Sequence, residues 1–184
     1  MTLAEFFAWE ERQPMRYEFD GLRPVAMTGG TAAHAKIQGN LHRAIGGRLS
    51  GRPCEYYGND LKVQTSATTS RYPDGFVMCT PVPDRATVVH DPVVIFEVLS
   101  ESTAATDFGE KSDEYAAMPS VQRYVLLRQD KIAGTMFERV GGEWIGHLLT
   151  SETTLRMPEI GIKLPLAELY TNVAFATGTN YSAP

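Results

Sequence analysis

The stretch Pro92-Val-Val-Ile-Phe-Glu-Val-Leu99 decides how the rest of the chain is read. A continuous apolar run of this length forms a central strand buried on both faces. Glu97 is its one charge. An unpaired buried carboxylate costs several kcal/mol, so it must be protonated, paired with a cation or bound to a metal. The strand alone leaves two readings level: a functional carboxylate, or one half of a structural ion pair.

Working outward, Asp74 follows Pro73 and opens a second apolar run, Gly75-Phe-Val-Met-Cys79. By itself it reads as an ordinary turn or strand-start aspartate. Beside Glu97 its weight changes, because the two carboxylates meet if their strands are neighbours. Together they would offer hard oxygen ligands of the kind that suit Mg2+ or Mn2+. On the other side of Glu97, Thr106–Ala117 reads as a helix stopped by Pro119. At about 100° per residue, Tyr115 falls near the line of Phe108, with Ala104 close by. Lys111 lies about 60° from Phe108 and about 40° from Tyr115, at the edge of that apolar stripe and leaning toward the sheet. Asp107 stands one turn earlier. A surface Asp107–Lys111 pair would contribute only a few tenths of a kcal/mol; the sharper reading is an ammonium that reaches the carboxylates.

The longest helical pattern, Thr31–Leu49, repeats Ile37, Leu41 and Ile45 at spacing four. His34 projects into that stripe, as a hydrogen-bonded buried histidine or as a site-lining one. Glu18 alternates with Tyr17 and Phe19 in an early hairpin and shares a face with Arg16. Nothing local decides whether that face is wet or lines a site.

The remaining elements follow from their punctuation. Thr2–Arg12 is a helix that Thr2 caps with Glu5, and Arg16–Met27 is a hairpin on Asp20-Gly21. Strands are expected at Glu55–Gly58, Leu61–Thr65, Val121–Leu127, Ile132–Glu138 and Trp144–Leu149, with a turn at Gly141-Gly142 and a loop over Ser66–Arg71. Ile160–Leu169 holds a short strand and a short helix. This order predicts an α/β (α+β) fold: a mixed sheet with helices against it, one domain over residues 1–173 and a polar tail over 174–184.

The chain has 184 residues, 43% hydrophobic and 21% charged, which fits one domain with a full core. A net charge of −5 argues against strong non-specific nucleic-acid binding, which normally needs excess Lys and Arg; a local basic patch is still compatible with it. Cys54 and Cys79 show no metal-type spacing and read as two reduced core thiols. The N-terminal residues show no signal peptide and no membrane span, so cytoplasmic location is the expectation.

The ordered set Tyr72-Pro-Asp-Gly75, Phe96-Glu-Val-Leu-Ser100 and Asp107-Phe-Gly-Glu-Lys111 with Tyr115 resembles the Uma family of restriction-endonuclease-like proteins, within the PD-(D/E)XK nuclease superfamily. Tyr17-Glu18, the Asp20-Gly21 turn, His34 and Arg123-Tyr-Val-Leu-Leu127 fit as well, so the likeness runs from Leu3 to Leu169. It implies a restriction-endonuclease-like fold and metal-dependent phosphodiester hydrolysis, on DNA sooner than RNA, with a homodimer as the arrangement suited to cutting both strands. It places Asp74, Glu97 and the Val98 carbonyl as ligands of Mg2+ or Mn2+, and makes Lys111, Glu18 and His34 the further candidate catalytic residues. The chain departs from the pattern at Leu99, where the motif lysine would stand; the resemblance implies that Lys111 replaces it from the next helix. Two alternatives stay open: a catalytically degenerate member acting as an interaction module, and a purely structural ion-pair cluster.

Overall fold

In the computed structural model, residues 1–100 and 104–175 are described. α1 (Leu3–Glu10) begins with the expected capping box, Thr2 and Glu5 each accepting the other's backbone N–H. β1 (Tyr17–Phe19) and β2 (Pro24–Ala26) form the hairpin, its turn held by Asp20 Oδ1, which accepts the N–H groups of Leu22 and Arg23. α2 (Ala32–Leu41) runs through a π-helical turn (His42–Gly46) into α3 (Gly47–Leu49). A stripe at spacing four drifts by about 40° per step around a regular α-helix. The wider π turn slows that drift, and Ile37, Leu41, Ile45 and Leu49 all stay buried.

β3 (Glu55–Gly58), β6 (Gly75–Met78), β8 (Val94–Val98), β9 (Arg123–Leu127), β10 (Gly134–Val140) and β11 (Glu143–Leu149) make a mixed sheet in the order β11-β10-β9-β8-β6-β3. β8 and β9 are parallel; the other neighbours are antiparallel. Gly141 and Gly142 take φ of 59° and 93° in the tight turn between β10 and β11, a conformation that favours glycine. A smaller sheet pairs β2-β1-β5-β4-β7, where β4 is Lys62–Gln64, β5 Ser70–Arg71 and β7 Val88–Val89. The parallel connection from β8 to β9 carries α4 (Ala104–Phe108) and α5 (Glu110–Ala117). β12 (Thr154–Met157), β13 (Ile162–Pro165) and a 3-10 turn (Leu166–Tyr170) close the fold.

β8 alternates between two cores. Val94, Phe96 and Val98 pack with Ile37, Leu41 and Ile45 on the α2 face. Ile95 packs with Tyr115 and Tyr124 on the α5 face. Glu97 shares that second face by the two-residue period of a strand. Gly75 sits where a Cβ would run into the Tyr56 hydroxyl, so the start of β6 needs a residue without a side chain. Among the described residues, no helix is long and apolar enough to cross a membrane.

Several expectations are corrected. The helix over 106–117 is broken at Gly109, and Phe108, used to mark the apolar stripe, is 45% exposed. The face turned to the sheet is instead Asp107, Lys111 and Tyr115. The loop over 66–71 ends in β5, because the Arg71 side chain is drawn inward by carboxylates. β7 and β12 carry too little pattern to be read from sequence. The two cysteines are joined as a disulfide rather than being free thiols. Of the proposed tail, residues 176–184 lie outside the described residues, while Phe175 packs on Tyr170 and the core.

The Cys54–Cys79 bridge spans a sequence separation of 25. Closing a loop of that size stabilises the fold by about 3 kcal/mol, mainly by restricting the unfolded chain. Urea melts with and without reductant should therefore differ in midpoint, the reduced protein unfolding first. Coincident midpoints would show that the bridge contributes nothing.

Candidate active site at the end of the central strand

The β6–β8 register pairs Gly75 with Phe96, so Asp74 falls opposite Glu97 at the end of the strand pair. The contact is reciprocal: the Asp74 N–H donates to Glu97 Oε2 (3.3 Å), and the Val98 N–H donates to Asp74 Oδ2 (2.7 Å). The other Asp74 oxygen faces α2, where Gln38 Nε2 donates to Oδ1 (2.7 Å) and His34 Nε2 lies 3.0 Å from it. His34 and Gln38 are four residues apart, on one helix face. With Nε2 donating to the carboxylate, His34 Nδ1 is buried without a partner among the described residues.

Glu97 is served from the opposite face of the sheet. Lys111 Nζ donates to Glu97 Oε1 (3.0 Å), and the Tyr115 hydroxyl lies 3.4 Å from the same oxygen. The ammonium also lies 3.1 Å from Asp107 Oδ1 and 3.3 Å from Glu18 Oε1. Glu18 reaches it from β1 and accepts the Tyr72 N–H (3.0 Å), while its Oε2 is 3.5 Å from Arg71. Arg71 is 1% exposed, and its guanidinium grips Glu114 of α5 through both carboxylate oxygens.

Burial raises the Glu97 pKa well above the usual carboxylate value; Lys111 opposes that shift, and the nearby Asp74, Asp107 and Glu18 reinforce it. Burial works against the Lys111 charge too, but Glu97, Glu18 and Asp107 outweigh it and hold the ammonium protonated well past its ordinary range. Three carboxylates surround this one ammonium, Asp74 stands beyond Glu97, and Arg71 is shared with Glu114, so the cluster has more carboxylates than cations.

Asp74, Glu97, Lys111, Glu18 and His34, expected from sequence, are thus brought into one connected cluster. Glu18 turns out to sit on a dry face, whereas its sequence neighbour Arg16 points outward to Asp60. Asp107 is a buried member, not half of a surface pair. Gln38, Arg71 and Glu114 were missed. Gln38 had a signal in its spacing from His34; Arg71 and Glu114 pair across 43 residues, which no local pattern announces. Among the described residues, no group of three or more His, Cys, Asp or Glu side chains stands ready to hold a metal ion as it is.

A family model described as "Putative restriction endonuclease", Uma2, matches residues 3–167. The chain belongs to the Uma2 family. Among curated relatives, the Synechocystis protein "Uncharacterized protein slr1290" is 31% identical over 175 residues, covering 93% of this chain and 92% of the relative. A second Synechocystis protein, sll1609, is 27% identical over 150 residues, covering 79% of this chain and 85% of the relative. This Uma2 chain shares its fold with a crystal structure from Anabaena variabilis described as "a putative nuclease belonging to DUF820". The TM-score is 0.77 at 16% identity, covering 93% of this chain and 98% of that one. The fold expected from the motifs, restriction-endonuclease-like with a mixed sheet flanked by helices, is therefore the fold observed.

The raised Glu97 pKa has a consequence for stability. A group whose folded pKa lies above its unfolded value stabilises fully below the unfolded value, about 4.3 for Glu, and loses that contribution as pH rises through the folded one. Glu97→Gln cannot ionise and lacks this slope. Thermal melts between about pH 5 and pH 8 should show the variant gaining on the wild type as pH rises. A difference in Tm that stays constant would show that Glu97 titrates like an exposed glutamate.

Proposed function

We propose that this Uma2 chain is a divalent-metal-dependent endonuclease acting on DNA, with Asp74, Glu97 and the Val98 carbonyl as the ligands of Mg2+ or Mn2+. The observation that carries this reading is the meeting of three groups: Asp74 and Glu97 across one strand pair, with Lys111 Nζ 3.0 Å from Glu97. The ammonium arrives from α5 and so makes up for Leu99 at the motif's lysine position. The donor set fits the ion, being carboxylate oxygens without thiolate, in a cluster with more carboxylates than cations. Mg2+ commonly takes only one or two carboxylates and keeps waters, so a preformed cage is not required.

A divalent ion bound there supplies a Lewis acid for the scissile phosphate and a more acidic water. The chain's own groups do the arranging. His34 and Gln38 fix the orientation of Asp74, and Lys111 with Tyr115 fixes Glu97. Both oxygens of Glu18 are engaged, by Lys111, Tyr72 and Arg71, which suits a positioning role better than proton acceptance. A homodimer would present two such centres to the two strands of a duplex. Cytoplasmic residence, natural for a DNA nuclease, has to accommodate the Cys54–Cys79 bridge, because reducing compartments keep thiols reduced.

The three carboxylates around Lys111 favour a second reading, a structural ion-pair cluster without catalysis. A supercoiled-plasmid nicking assay separates the two, with an RNA substrate run in parallel. The expected result is nicking in Mg2+ or Mn2+ that chelator abolishes, and a loss of roughly 10²–10³-fold in Asp74→Ala and Glu97→Ala. Wild-type protein that leaves plasmid intact with either ion would overturn the nuclease reading.

A further inference from the structure

Lys111 is surrounded by more carboxylate than one ammonium needs. Its Nζ lies 3.0 Å from Glu97 Oε1, 3.1 Å from Asp107 Oδ1 and 3.3 Å from Glu18 Oε1. These come from three separate elements, β8, α4 and β1, and all three residues are buried. The Asp107 side chain is 2% exposed, and its Oδ1 has no hydrogen-bond donor among the described residues; the ammonium is its ion-pair contact. An ammonium has three N–H bonds. One donates to Glu97, and Asp107 and Glu18 flank the ammonium at ion-pair distance.

Glu97 has a second property. Its Oε1 accepts from the Lys111 ammonium and its Oε2 accepts the backbone N–H of Asp74, so one carboxylate lies between two positions, the ammonium's and the Asp74 end of the strand pair. Carboxylates that bridge in this way join paired hard cations, which sit about 3.5–4 Å apart in two-metal sites. Here one of the two positions is filled by the chain itself. The oxygens stand at ammonium distance; a divalent ion would draw them in to roughly 2.0–2.2 Å.

We propose that the Lys111 ammonium is a resident cation filling a second cation position beside the Asp74–Glu97 centre, so that the chain takes up one divalent ion and loss of the ammonium opens a site for another. The count of one in the wild type rests on the proposed function; the opening of the Glu18–Glu97–Asp107 position does not. Removing Lys111 leaves three buried carboxylates facing each other without their ammonium, a state relieved by protons or by a cation.

The test uses Mn2+ alone, with stoichiometry by calorimetry and electron paramagnetic resonance on the wild type, Lys111→Met and Lys111→Met/Asp107→Asn. The expected counts are one, two and one, with a spin-coupled pair signal confined to Lys111→Met. Its Tm should fall without metal and recover in Mn2+, while the double variant recovers less. If Lys111→Met unfolds on its own, refolding in Mn2+ should rescue it, and failure of that rescue overturns the proposal. One ion in both wild type and Lys111→Met overturns this proposal and leaves the nuclease reading standing. No ion in the wild type and one in Lys111→Met does the reverse.

Discussion

The rest of the structure is arranged around one unfavourable act, the burial of the Glu97 carboxylate in the middle of a sheet. Its strand is dry on both faces, with Val94, Ile95, Phe96 and Val98 at 0–1% exposure. A charge in that setting is tolerated only with a cation and hydrogen bonds brought to it. Lys111 and Tyr115 come from α5, and α5 is held in turn by other ties. Arg71 grips Glu114 on its outer side. Arg139 of β10 accepts no part in the cluster but donates to the carbonyls of Ala116 and Met118 at the helix C-terminus. The helix is thus fixed at its middle and its end, which keeps the ammonium where the carboxylate needs it.

The sheet separates two kinds of support. α2 reaches the site through the Gln38 amide and the His34 ring, and they act on Asp74. The α5 side reaches it through full charges, and they act on Glu97. The two carboxylates meet only through backbone N–H groups at the strand ends. A substitution on one face therefore reaches the other carboxylate through the strand pair and not through direct side-chain contact.

Much of this was legible in the sequence, for physical reasons that differ by residue. Glu97 announced itself because a lone charge in an apolar run is costly. The β8 strand, the α2 stripe and both glycine or Asp-Gly turns rest on short-range pattern, and the structure has them. Lys111 was placed correctly by a partly wrong argument. Apolar periodicity points Phe108 inward, but the helix breaks at Gly109 and Phe108 turns outward. The inward face is set by charge, not by apolar stripe, and hydrophobic periodicity does not register that. Arg71 and the Cys54–Cys79 bridge were illegible because both depend on partners brought together only by the folded chain.

That bridge has a topological side. Between Cys54 and Cys79 the chain leaves the larger sheet after β3, contributes β4 and β5 to the smaller sheet, and returns as β6. The excursion is stapled at its base, so β4 and β5, two of the smaller sheet's five strands, lie in a closed loop that also contains Arg71 and Asp74. A cut in the exposed Ser66–Thr68 segment would leave two fragments still joined through sulfur, both at their places in the sheets. The two sheets should accordingly melt as one cooperative unit while the bridge is intact, and Asp74, the catalytic candidate on the loop, shares the fate of the whole molecule instead of fraying separately.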